Sequence, residues 1–596
     1  PDKIMEPISK PPSKLRSTSE IRMSQTIRYN ESRKTIHKKS ISPVGWATWC
    51  LILLFGCDSP SATENLTNLP ASILKAGDSI KENYIEQVAK EISSDEFEGR
   101  GPGTRGDEKT QDYLIEQLEK MGYTGGAKDG GWKQPFKLIG LNTAQPKTWS
   151  FNTPKGKTTF EQSSDFILAS GQQTSQAELT EAELVFVGYG IQAPEYEWDD
   201  YKGQNMAGKI LVMMNNDPEW DPGLFEGEMR LFYGRWVYKY EIAARLGAAG
   251  VIIIHTDYSA GYPWQVVQTS WTGTQFELPN EGEPTLAIKA WMTEDASKRL
   301  LNRSGFDLDT LVKQARDQNF SPVNLGSTTS LTVEVDKSTQ TTANILGLLP
   351  GSELSDEVVI FTAHHDHLGL DDSLEGEDKI YNGAKDNASG VASVLSIAKA
   401  FKIAQSTPKR SVLFAFVGAE EQGLLGSAYY ARYPTFKPGK IAANINIDSA
   451  QVYGRTAEIS FIGYGRSSID KTAETVAKYQ DRTITGDQNP SAGYFYRSDH
   501  FSLAKIGVPS LNYKGGSQFK GTKITSFDVL QARYVAELYH QPSDEIEANW
   551  RFDGLVEDAQ FGFYAGWLIA NQRGLPAWNP GDEFEAPRKK ALDQAN

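Results

Sequence analysis

The sequence predicts a mixed α/β protein: a mostly parallel sheet covered by helices on both faces, interrupted by an inserted β-rich segment. Three observations carry that prediction. Short apolar runs at 358–363, 412–417 and 441–447 alternate with helical stretches at 388–401 and 423–433. Near-continuous apolar strands separated by helices mark a sheet buried on both faces, because crossover helices must cover it. From about 182 the texture changes to strand-like runs with glycine-bounded ends, as in Leu184-Val185-Phe186-Val187-Gly188 and Val251-Ile252-Ile253-Ile254. At 596 residues, with 39% hydrophobic and 23% charged residues, the chain suits two or three domains and can bury a large core.

The elements follow in order. Residues 1–57 read as an N-terminal extension and signal: 1–42 are polar and basic, and 44–56 are apolar, the length of a signal-peptide core and too short to span a bilayer. That run ends in Leu54-Phe55-Gly56-Cys57, which resembles a bacterial lipoprotein signal. The resemblance implies lipidation at Cys57, export, membrane attachment through a lipid anchor only, and a periplasm-facing protein. Residues 58–78 read as a tether. The first part of the main α/β domain spans 79–175, where 80–93 and 108–121 show helical apolar spacing around the turn-rich Glu98-Gly99-Arg100-Gly101-Pro102-Gly103-Thr104. The β-rich insert spans 176–330. The main domain resumes over 331–580 and closes with a helix at 557–571. Residues 581–596 read as a charged, mobile tail.

Net charge is −15, so the general surface repels polyanions and a nucleic-acid partner is not expected. Cys50 and Cys57 are the only cysteines. They offer no disulfide framework, and any metal must be held by His, Asp and Glu.

Five stretches concentrate such side chains: Ala363-His364-His365-Asp366-His367-Leu368-Gly369, Gly383-Ala384-Lys385-Asp386-Asn387, Glu420-Glu421, Asn446-Ile447-Asp448 and Tyr539-His540-Gln541-Pro542. Four of the chain's 7 histidines lie in them. Several follow a strand directly, and in parallel sheets function collects beyond the carboxyl ends of strands. Amide hydrolysis needs a nucleophilic water, a polarised carbonyl and a stabilised oxyanion; two divalent ions supply all three. Such a pair asks for about one imidazole and one carboxylate per ion and a shared carboxylate. His364, Asp386, Glu421, Asp448 and His540 make up that set. The set does not require His365 as a ligand, and His367 is read as hydrogen-bonding in the loop rather than binding metal.

The ordered motifs resemble the bacterial co-catalytic zinc aminopeptidases, relatives of glutamate carboxypeptidase, glutaminyl cyclase and the transferrin-receptor ectodomain. The resemblance implies the zinc exopeptidase fold, with the insert as a protease-associated domain. It implies two Zn2+, replaceable by Mn2+ or Co2+: His364 and Asp448 on one, Glu421 and His540 on the other, Asp386 bridging. It makes Glu420 the general base and gives Asp366 the task of orienting the His364 imidazole. Ser498, Asp499 and His500, in Tyr496-Arg497-Ser498-Asp499-His500-Phe501, match a stretch that shapes the substrate pocket. The function expected is removal of N-terminal residues from peptides. Carboxypeptidase or glutaminyl-cyclase chemistry on the same site, and a receptor-like binding module, are the alternatives.

Overall fold

The computed structural model describes residues 69–521 and 526–595. The signal, the lipidation expected at Cys57 and the first part of the tether lie outside the described residues.

The main sheet has a parallel centre. The strand Leu354–His364 runs parallel to Arg410–Val417 on one side and to Ile441–Asn446 on the other, and Ile441–Asn446 runs parallel to Ser510–Gly515. Antiparallel strands flank this centre, Val323–Leu349 beside Arg410–Val417 and Glu458–Ile462 beside Ser510–Gly515. Every residue of Arg410–Val417 and of Ile441–Asn446 is buried, as the unbroken apolar runs demand of strands covered on both faces. The helices Glu82–Ile92, Ser389–Ile403 and Phe552–Asn571 supply Ile85, Val391, Leu395, Phe561 and Phe563 to one continuous core with Phe361 and Phe414. Fully burying a side chain of this size contributes about 1.5–3 kcal/mol.

The 27-residue strand Val323–Leu349 joins two cores. Its second half pairs with Lys133–Thr143 and Arg410–Val417 in the main sheet; its first half pairs with Gln176–Phe186 in another. That other sheet places Gln176–Phe186, Ile210–Met214, Gly250–His255 and Ile288–Thr293 in parallel register. Its core already includes Trp149, Phe151 and Phe160, from strands ahead of residue 176, where the insert was expected to begin. The strand Thr148–Thr153 that carries Trp149 and Phe151 pairs with Val323–Leu349 and with Gly156–Glu161, which carries Phe160.

Two expectations from composition need correction. The tether was expected to run to 78, yet Ala71–Asp78 is a helix with Ile73 and Ala76 buried in the main core. Its closest packing is at Gly77, where an added Cβ would meet the Tyr564 hydroxyl at 2.1 Å. The tail expected at 581–596 contains the helix Glu585–Ala595. Arg588, 2% exposed, anchors it by donating to the carbonyls of Ile441 at 2.9 Å and Pro576 at 3.2 Å. A tail of high charge density stays ordered here because one guanidinium satisfies carbonyls at the start of a central strand. Among the described residues no helix is long and apolar enough to cross a membrane.

Candidate metal centre

Parallel register brings the site together. His364 pairs with Val417, and Thr362 pairs with Asn446, so the three strands end level and their following residues face one space. His364 closes its strand; Glu420, Glu421 and Asp448 stand just past theirs. Asp386 lies in the short turn Ala384–Ala388 that leads into the helix Ser389–Ile403, and the Asp386–Asn387 peptide is cis. His540 follows the turn Tyr534–Leu538. Ala419, Ser449 and His540 are non-glycine residues at φ 56°, 48° and 57°. Such left-handed conformations cost on the order of 1–3 kcal/mol each, and here all three sit on the loops that carry the cluster.

All five expected ligands converge. His364 Nε2 lies 3.2 Å from Asp386 Oδ1 and 3.4 Å from Asp448 Oδ1. His540 Nε2 lies 2.9 Å from Glu421 Oε2 and 3.6 Å from Asp386 Oδ2. The two oxygens of Asp386 therefore face the two imidazoles. Ligand-type atoms of His364, Asp386 and Asp448 fall within 4.8 Å of one another, as do those of His364, Glu420 and Glu421 and those of His367, Asp386 and Glu421. Three buried polar atoms in this space, Asp386 Oδ1, His540 Nε2 and His367 Nε2, make no hydrogen bond of acceptable geometry, although His364 Nε2 and Glu421 Oε2 approach the first two at 3.2 Å and 2.9 Å. Buried orphans of this kind are rare and costly in native proteins, and a cation coordinated among them satisfies them. The donor set of imidazoles and carboxylates suits zinc.

The electrostatics point the same way. Burial works to lower the His364 imidazole, but Glu420, Asp386 and Asp448 hold it well above the usual range. His540, also opposed by burial, is raised to about 10 by Glu421 and Asp386. Against burial, the imidazoles His364 and His540 hold the Asp386 carboxyl well below its ordinary range. Glu420 differs: burial, reinforced by Glu421, Asp448 and Asp499 against the pull of His364, pushes it well above the usual carboxylate range. Crowded carboxylates thus recruit positive charge wherever it is available, which is the requirement of a divalent-cation site.

Three expectations change on inspection. His367, expected to hydrogen-bond within its loop, instead stands with Nδ1 2.7 Å from Glu421 Oε1 and belongs to the cluster. The Asp366 carboxylate is 3.9 Å from His364 Nδ1, whereas its backbone carbonyl is 3.3 Å away. The carboxylate instead accepts the backbone N–H groups of Glu420 at 3.0 Å and Glu421 at 3.3 Å, so Asp366 fixes the pair of glutamates. Of the pocket residues, Ser498 Oγ accepts from Asn446 Nδ2 at 2.8 Å, and Asp499 is fully buried and raised to about 7 by burial, with Asp448 and Asp366 adding to it against His364. His500 packs edge-on to Phe495 with ring centroids 4.7 Å apart, beside an aromatic cluster.

Several supporting residues went unread in the sequence. Arg100, 1% exposed, donates to the carbonyls of Ile92, His365, Asn382 and Gly383 at 2.6–2.9 Å. It ties the turn-rich loop to both the His364 and Asp386 segments. Asp107 lies 3.0 Å from His365 Nε2. Asp544 accepts the N–H groups of Lys385 at 3.2 Å and Asp386 at 3.1 Å, and Asn387 accepts from Ser449 N at 3.2 Å while donating to Ile447 O at 3.0 Å. The available signals were the glycines around Arg100 and the four-residue offset between His540 and Asp544; neither says which distant loop is met. Replacing Arg100 with leucine leaves four buried carbonyls unpaired and is expected to lower stability by roughly 3–5 kcal/mol. Denaturant unfolding checks this, and a loss under 1 kcal/mol would show that water replaces the guanidinium.

Residues 344–562 match the model of peptidase family M28. An aminopeptidase of Pseudomonas aeruginosa is 25% identical over 567 residues, covering 90% of this chain and 88% of its own length. A probable zinc metalloprotease of Pyrenophora teres f. teres is 26% identical over 291 residues, 44% of this chain. The chain spans 59% of that relative and 54% of its like-named counterpart in Pyrenophora tritici-repentis. Among solved structures, the aminopeptidase from Aneurinibacillus sp. strain AM-1 aligns over 84% of this chain and 97% of its own at 18% identity, with a TM-score of 0.47.

Proposed function

From the match of residues 344–562 to the model of peptidase family M28, we propose that this chain is a zinc-dependent aminopeptidase that releases N-terminal residues from peptides with Glu420 as general base. The observation that carries the reading is the meeting of His364, Asp386, Glu421, Asp448 and His540, from five separate segments, around buried atoms that make no hydrogen bond of acceptable geometry.

Zinc, when bound, supplies Lewis acidity, favouring ionisation of water and polarising a carbonyl. His364 and Asp448 would hold one ion, Glu421 and His540 the other, and Asp386 would lie between them. His367 stands close enough to Glu421 to keep that carboxylate oriented. Glu420 takes the proton of the attacking water and delivers it to the departing amine. A carboxyl whose surroundings favour its protonated form retains that proton between the two transfers. Asp366 holds Glu420 and Glu421 on one rigid turn, so the base and the neighbouring ligand keep their spacing. The acidic surplus of the cavity favours a free α-ammonium over a blocked N-terminus, which makes the activity exopeptidic.

The test is a panel of free-amine and N-blocked aminoacyl amides with and without chelator. Cleavage confined to free amines, abolished by chelator and restored by zinc, is expected; cleavage of blocked substrates would overturn the reading. Zinc at about 1,000 times its Kd is expected to add roughly 4 kcal/mol of stability, read as a rise in Tm over the chelated protein.

A further inference from the structure

Within a chain of net charge −15, one region gathers three arginines. Arg230 and Arg235, from the insert, converge on Arg497 of the main domain. A Cβ placed on Gly493 would lie 3.3 Å from the Arg230 Cδ and 3.4 Å from the Arg235 Cδ, so both side chains cross the same glycine. The backbone N–H of Arg230 donates to Pro490 O at 3.2 Å, and Phe232 packs on Phe501 with ring centroids 5.0 Å apart. These contacts hold the insert against residues 490–501. Arg497 follows from the other side, its guanidinium carbon 5.3 Å from the Tyr494 ring centre.

None of the three has a carboxylate partner among the described residues. Arg230 spends one hydrogen bond on Ser259 O at 2.6 Å. Arg497 Nε is buried without a partner. Arg235 is 9% exposed and its guanidinium makes no hydrogen bond among the described residues. Asp217 and Glu219 act on Arg230, and Asp487 feels Arg497. The charges acting on Arg235 are Arg497 and Arg230, with Tyr262 and Tyr496; burial and those arginines push it down to about 9. Desolvating a guanidinium beside two others without an anion is unfavourable, and the cost is recovered only when an anion enters. Planar forked donors suit a carboxylate.

The location fits a substrate. Arg497 directly precedes Ser498, whose Oγ accepts from Asn446 Nδ2 at 2.8 Å, and Asn446 ends its strand two residues before Asp448. We propose that Arg230, Arg235 and Arg497 form a carboxylate-binding site at the seam between insert and main domain, engaging a peptide whose N-terminus lies at the metal centre. This rests on the aminopeptidase reading. The carboxylate is either an acidic side chain or the free C-terminus of a short peptide. The insert then contributes to substrate selection through Arg230 and Arg235.

The test compares leucyl-alanine with leucyl-alanine amide, and leucyl-glutamate amide with leucyl-glutamine amide, on the wild type and on Arg235→Gln, Arg497→Gln and Arg235→Lys. The wild type is expected to show a KM about tenfold lower for the carboxylate member of one pair. The first pair identifies the terminal carboxylate and the second the acidic side chain. Arg235→Gln and Arg497→Gln each abolish the preference, and Arg235→Lys restores part of it. Glutarate binding, followed by calorimetry, is expected for the wild type and lost in both glutamine variants, a readout independent of turnover. Equal KM values within both wild-type pairs, or a preference that survives in both glutamine variants, overturn the site while leaving the aminopeptidase reading intact. Absence of hydrolysis of every substrate defeats the reading; glutarate binding that depends on Arg235 then still supports an anion site, and its absence overturns that as well.

Discussion

Replacing Glu420 by glutamine is expected to lower turnover by about 10²–10⁴-fold while zinc content remains that of the wild type. Glutamine preserves volume and can still accept a hydrogen bond, but it cannot take a proton from water. The five groups assigned to the ions are untouched, and Asp366 still accepts the backbone N–H groups of residues 420 and 421 at 3.0 Å and 3.3 Å, so the turn keeps its shape. Steady-state kinetics on a free-amine substrate, with metal analysis of the same preparation, checks both halves. Unchanged turnover would remove Glu420 as the base. Lost zinc with lost turnover would make it a ligand instead, an outcome its proximity to His364 and Glu421 renders worth measuring.

Asp386→Asn should act differently, through binding. One carboxylate oxygen lies 3.2 Å from His364 Nε2 and the other 3.6 Å from His540 Nε2, so its two oxygens face the two imidazoles. The amide keeps one acceptor and turns the other position into a donor aimed at an imidazole. Loss of an outer partner of a metal ligand typically costs 10–100-fold in affinity; loss of the shared carboxylate is expected to exceed about 100-fold and to leave one zinc or fewer per chain. Activity falls with the metal. Equilibrium dialysis against buffered zinc reads the effect, and retention of two ions at wild-type affinity would mean that Asp386 bridges nothing. The contrast is diagnostic: Glu420→Gln separates activity from metal content, whereas Asp386→Asn loses them together.

Much of the centre was readable because in parallel sheets the chemistry lies just past the strands, and both are local in sequence. The apolar run at 358–363 announces a buried strand and His364 stands at its end; the same adjacency holds for Glu421 and Asp448. His367 shows where this stops. Its position after the same strand is as visible as that of His364, but its approach to Glu421 at 2.7 Å depends on a loop returning 54 residues later. Asp366 stands out as a residue that supports His364, and its backbone carbonyl does meet the His364 ring, but a sequence does not show which backbone amides its carboxylate meets. The helices Ala71–Asp78 and Glu585–Ala595 were missed because each is short, and short helices owe their stability to packing more than to their own sequence.

Residue type and order along the chain determined the α/β class, the identities of the metal-seeking groups and the strands that present them, since burial periodicity and donor chemistry are written locally. Tertiary structure alone decided that Arg100 and Asp544 brace the loops, that His367 joins the cluster, and that arginines more than 230 residues apart meet at one seam. Those facts depend on contacts between distant segments, and a contact of that kind leaves no periodicity in either segment by which it can be foreseen.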